Sequence, residues 1–68
     1  MEQKELQQHQ QRVIEEKRDL DEKLGKLNRF FQTPTFGTLD PAERDRLRLQ
    51  ATAMTTYSVV LGDRINAF

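Results

Sequence analysis

The chain has 68 residues, 35% hydrophobic and 32% charged, with eleven basic against eleven acidic side chains, one histidine and no cysteine. A net charge of zero argues against a duplex-DNA binder, which needs a cationic surplus to displace counterions; the absence of thiols excludes disulfides and cysteine metal sites, and one histidine cannot build a zinc site alone. This length allows a single domain over residues 1–68, and a core of this size rarely supplies more than ~3–5 kcal/mol, which leaves oligomerisation as the source of further stability.

The N-terminus is charged and Gln-rich and lacks the apolar core of a signal peptide. No apolar run approaches the ~20 residues of a membrane span. The reading is a soluble intracellular protein with no membrane partner, no metal and no cofactor.

Residues 3–31 carry a helical period. Leu6, Val13, Leu20 and Leu27 recur every seven residues, and Gln10, Lys17, Leu24 and Phe31 supply the other seam position. Gln10 and Lys17 make this a broken coiled-coil seam. Arg12 and Glu16, Asp19 and Lys23, and Glu22 and Lys26 are opposite charges four residues apart, which support an exposed helix modestly. Residues 1–8 are poor in apolar side chains and are expected to fray. Gly25 is a weak point, at about 1 kcal/mol relative to Ala, and would let a ligand or another backbone approach closely.

Residues 32–39 form the expected interhelical loop. Pro34 stops the first helix, Gly37 supplies a turn position, and Phe36 and Leu39 tuck under the hairpin end near Phe31. A second helix is expected over 41–67. Asp40 is its N-cap, Pro41 its first residue, and Glu43 stands at capping-box spacing. Thr52, Thr55 and Thr56 lie on its outer face.

The second helix is unusually broad on its apolar side. At ~100° per residue, Leu47, Met54, Leu61, Ile65 and Phe68 fall on one stripe, which Tyr57, Ala53, Val60 and Leu49 widen to roughly 160°. One neighbouring helix cannot cover that arc. Arg46, Gln50 and Arg64 sit inside it, where polar groups are satisfied across an interface or by a ligand. A short connection favours an all-α antiparallel hairpin. Counting back from the loop places Leu24 near Leu47, Leu20 near Ala51, Val13 near Val59 or Val60, and Leu6 near Ile65 and Phe68. Tyr57, Val60 and Leu49 are then left for packing between copies in a compact homo-oligomer.

No enzyme constellation is visible, neither a nucleophile triad nor a P-loop nor a metal-ligand cluster. The expectation is a non-enzyme without catalytic residues. Anion binding is the sharper possibility. Arg12, Lys23, Lys26 and Phe30 lie within ~40° of one another on the first helix. Gln8 shares the face, and His9 lies between it and the seam. Cations beside an aromatic and amides suit a phosphate and a stacked base, and a twofold axis would double the set. Glu16 and Asp19 share the face, so a solvated salt-bridge surface explains the same pattern. Tyr57 reads as an interface anchor, and Arg64 as a partner for either a carboxylate or a phosphate.

These residues resemble a family. Arg12-Val13-Ile14 with Glu16-Lys17, then Leu20-Asp21-Glu22-Lys23-Leu24 and Leu27, are similar to the first helix of small phage proteins. The likeness continues through Phe36, Leu39, Gln50, Ala53-Met54, Tyr57-Ser58, Val60-Leu61 and Arg64-Ile65, and covers about residues 9–66. The family is that of the anti-CBASS cyclic-nucleotide sponges of tailed phages. The resemblance implies a compact helical oligomer, typically a hexamer, that sequesters cyclic di- and trinucleotide signals in the host cell cytoplasm without cleaving them. It implies a dinucleotide site between protomers at Gln8 or His9, Arg12 and Lys23, with Lys26 nearby. Members often carry an aromatic where this chain has Gln8-His9. A second, trinucleotide site would draw on Tyr57 and Arg64. The alternative is a non-enzymatic interaction hairpin that docks on a host or phage protein through its apolar stripe.

Overall fold

The computed structural model describes residues 6–68. Three helices follow in order: α1, Gln8–Phe30; α2, Pro34–Gly37; and α3, Pro41–Asn66. The protein is all-helical over the described residues, with α1 and α3 packed side by side and antiparallel in a slender rod of 56 × 16 × 16 Å.

α1 begins later than residue 3. Gln7 is its N-cap, and its backbone N–H donates to Gln10 Oε1 at 2.8 Å. That glutamine therefore satisfies one of the orphan donors of a helix start. Most of the stretch expected to fray lies in residues 1–5, outside the described residues. Gln10, Lys17, Leu20, Leu24 and Leu27 all lie half-buried along the seam, and Val13 is buried.

The connector is not a plain loop. Thr33 closes α1, its hydroxyl donating to the Phe30 carbonyl at 2.7 Å. Pro34, which has no N–H to lose, then opens α2. The short helix drives Phe36 into the hairpin end, where it is buried. Its ring meets Phe30 edge-on at 5.9 Å and Phe31 at 5.0 Å. The Arg48 guanidinium lies 5.1 Å from the centre of the same ring.

α3 starts on the expected cap, with Asp40 Oδ2 accepting from the Ala42 N–H at 3.1 Å. Glu43 does not complete the box; it pairs instead with Arg46 at 2.8 Å. Thr52, Thr55 and Thr56 each turn their hydroxyl back onto the carbonyl four residues earlier.

The pairing register differs from the symmetric count. The Ser58 hydroxyl donates to Asp21 Oδ1. Lys17 Cε lies 3.5 Å from where a Cβ on Gly62 would stand. In both pairs the residue numbers add to 79, and the long Lys17 side chain also reaches Ser58 one turn away, whereas the expected pairs add to between 71 and 74. α3 is thus displaced along α1 by about seven residues, two turns or roughly 10 Å. Val13 therefore comes level with the Ile65 turn rather than with Val59 or Val60, which stay 60% and 48% exposed. The physical reason lies in the connector: α2 and the Phe36 plug extend the hairpin past the end of α1, so α3 begins beyond it. Leu61 is fully buried in the pairing, and Ala51 and Ser58 are buried on the turns before it.

Candidate functional site

The seam holds one polar cluster that breaks its apolar pattern. Lys17 Nζ donates to Ser58 Oγ at 2.8 Å and to Asp21 Oδ2 at 2.9 Å. The Ser58 hydroxyl donates in turn to the other oxygen of Asp21. Donor and acceptor are matched throughout, as a buried hydroxyl requires. The Ser58 hydroxyl, and after it Lys17, holds the Asp21 carboxyl below its ordinary range. Lys17 was legible as a polar break in the leucine repeat. Its partners were not, because they depend on the register.

This cluster also orients the two helices. On a wheel, Lys17 and Asp21 lie to one side of the α1 seam, and Ser58 lies to the corresponding side of the α3 seam. Since the three meet, those flanks form one broad side of the hairpin. In an antiparallel pair the two remaining flanks then form the other broad side.

All seven residues singled out in the sequence belong to that second side. His9 lies roughly 45° from the α1 seam, Lys23 and Arg12 roughly 85–105°, and Gln8 and Lys26 roughly 145°. Tyr57 and Arg64 lie roughly 70–90° from the α3 seam in the matching sense. The register divides them into two groups. Lys23, Lys26 and Tyr57 stand at one height, and Gln8, His9, Arg12 and Arg64 stand toward the α1 start. Arg12 and Lys23 are eleven residues apart, about 16 Å along the axis, so no single phosphate touches both within one chain. Glu16 and Asp19 occupy the interval between the groups.

Gln8, His9, Arg12, Lys23, Lys26, Tyr57 and Arg64 are all exposed. Lys26 forms the expected pair with Glu22, at 3.7 Å. Arg12 and Glu16, and Asp19 and Lys23, do not pair; Arg12 and Lys23 have no ion-pair partner among the described residues. The open side of Gly25 lies against the Arg29 guanidinium, 3.5 Å from a Cβ placed there. The same side of the hairpin bears an apolar patch: Tyr57 is 42%, Val60 48% and Leu49 70% exposed. Of the polar residues inside the apolar arc, Arg46 is taken by Glu43 and Gln50 lies against Met54 Sδ at 3.9 Å. Among the described residues there is no enclosed pocket and no group of three or more His, Asp or Glu side chains placed to hold a metal ion. None of the described helices is long and apolar enough to cross a membrane.

A protein-family model described as Sequestin matches residues 7–67, nearly the whole chain and all seven of these positions. The chain belongs to the Sequestin family. No curated protein and no solved structure matches it. For this Sequestin the match means that the cationic face and the apolar patch both lie within the family's shared region, not in an appended segment.

Proposed function

We propose that this Sequestin is a phage immune-evasion protein that sequesters cyclic di- and trinucleotide second messengers and so blocks CBASS signalling without cleaving them. The observation that carries the reading is the pair of cationic groups on one exposed side of the hairpin, with Arg12 and Lys23 free of ion partners among the described residues. A phosphodiester is held by charge-assisted hydrogen bonds from such groups, and an aromatic such as Tyr57 offers a base a stacking surface. The family's name is compatible with a protein that sequesters something.

In this reading the ligand lies between protomers. Arg12 and Lys23 are too far apart to clamp one phosphate from a single chain, so one copy supplies the Arg12 group and another the Lys23 group. The exposed Tyr57, Val60 and Leu49 beside those groups give the copies an apolar surface to bury. A hexamer is the expected assembly, with Tyr57 and Arg64 toward a trinucleotide site. A sink of this kind needs affinity and concentration and no catalytic group. Its setting is the host cell cytoplasm, where such messengers circulate.

The same exposed patch favours a second reading, a helical interaction protein that docks on a host or phage protein. Native mass spectrometry with and without a panel of cyclic di- and trinucleotides separates the two. A mass increment per oligomer, with the nucleotide recovered intact on heating, supports the sponge. An oligomer that takes up no member of the panel leaves the docking reading in its place.

A further inference from the structure

A seven-residue repeat leaves the register of this hairpin ambiguous. Sliding α1 along α3 by one heptad returns seam positions to seam positions, so the apolar pattern is nearly blind to the slip. The slipped hairpin pairs residues whose numbers add to 72, and it stacks Leu24 beside the Leu47 turn and Leu20 beside the Ala51 turn. The seam side chains do not forbid it; the connector with Phe36 opposes it by holding α3 past the end of α1, and the polar cluster opposes it directly. After the slip Ser58 would face Ile14, Asp21 would face Ala51 with no hydroxyl to accept from, and Lys17 would come level with Thr55, whose hydroxyl donates to the Ala51 carbonyl of its own helix. The two cross-helix hydrogen bonds of the cluster, Lys17 to Ser58 and Ser58 to Asp21, exist in the observed register alone, whereas the Lys17–Asp21 pair lies within α1 and survives any slip.

We infer that Lys17, Ser58 and Asp21 act as a register lock that rejects the heptad-slipped hairpin and thereby aligns the two cationic groups with α3. Buried polar groups are best attested in this role, selecting one pairing among several; here Ser58 is the buried member, with Lys17 half-buried and Asp21 exposed at the rim. The consequence for the exposed side is specific. In the observed register Lys23 is level with Thr56 and beside Tyr57, and Arg12 is level with Ala67, close to Arg64. A slip would carry Lys23 to the height of Leu49 and Arg12 to that of Val60. The cluster thus lies on the opposite side of the hairpin from the proposed site and acts on it only through position. That consequence rests on the cyclic-nucleotide reading; the register itself does not.

Spin labels measure the register directly, without any ligand. The chain has no cysteine, so cysteines placed at the exposed positions Gln11 and Thr52 carry the only labels, and dilution with unlabelled chain leaves distances within one hairpin. A heptad slip shortens this separation by about 10 Å. Wild type should give one distance. Lys17→Met with Ser58→Ala should add a second, shorter one at retained helicity. Gln10→Lys with Ile14→Asp and Lys17→Leu moves the cluster back by one heptad, and it should give the shorter distance as the main one. Ser58→Thr, which keeps the hydroxyl, should restore the single wild-type distance. If the variants that fold hold the wild-type distance alone, the connector and Phe36 set the register and the inference is wrong. That outcome leaves the nucleotide-binding reading untouched, since binding is measured separately.

Discussion

Lys17 Nζ lies 2.8 Å from Ser58 Oγ, forty-one residues away along the chain. This contact joins the one lysine of the leucine seam to the buried serine of the facing stripe, and Asp21 completes it. It marks how high α3 stands against α1 and which flanks of the two helices share a side.

The cluster has a pH signature. Asp21 sits below its ordinary value of 3.8, first because Ser58 donates to it and then because Lys17 does, with burial opposing both. A depressed folded-state pKa stabilises the fold above the unfolded value, and the contribution is lost as pH falls through the folded value. The midpoint difference between wild type and Asp21→Asn should therefore be full at neutral pH and close below about pH 4. Ser58→Ala should raise the Asp21 pKa in a carboxylate NMR titration. An unchanged titration would remove the hydrogen bond as its cause.

Phe36 is the plug of the hairpin end, 6% exposed between two phenylalanines and Arg48. Phe36→Ala should cost about 3–5 kcal/mol, comparable with the whole stability of a small core. Urea unfolding should show a chain largely unfolded at room temperature unless assembly rescues it. A loss under 1 kcal/mol would mean the cavity collapses freely.

Asp40→Ala removes the acceptor for the Ala42 N–H. The expected loss is about 1 kcal/mol, read as a lower denaturation midpoint at unchanged slope. Cyclic-nucleotide affinity should follow assembly only. A selective loss of binding in an intact oligomer would put the hairpin end in the site.

Tyr57 and Val60 are exposed in the single chain, so Tyr57→Asp or Val60→Asp should leave its helices intact. Sedimentation should nevertheless show dissociation, because between copies the carboxylate would be buried without a partner. A wild type that sediments as a folded 8.0 kDa monomer would remove the oligomer argument altogether.

Arg12→Ala and Lys23→Ala should each weaken cyclic dinucleotide binding ten- to hundredfold, since charge-assisted hydrogen bonds contribute ~1.5–3 kcal/mol each. Assembly should be unaffected. Added salt should weaken wild-type binding more steeply than binding by either variant, because the variants make fewer ionic contacts. Calorimetry that finds both variants equal to wild type would reduce this side to a solvated surface.

Much of the fold was legible in the residues. The seven-residue recurrence of Val13, Leu20 and Leu27 marks α1, Asp40-Pro41 marks the start of α3, and the wide stripe through Tyr57 and Val60 marks the side that one helix cannot cover. These are local signals, carried by neighbours within a few turns of one another. The cationic residues of the candidate site could likewise be picked out on a single helical wheel. The height and handedness of the pairing could not. A heptad pattern repeats itself after two turns, so Leu24 finds an apolar partner on either register. Only the packed structure, through Phe36 beneath the hairpin end and Ser58 between Lys17 and Asp21, selects one of them. The same contact puts Arg12 and Lys23 on the side of Tyr57 and Arg64, because which flanks of two helices face the same way depends on how their seams meet.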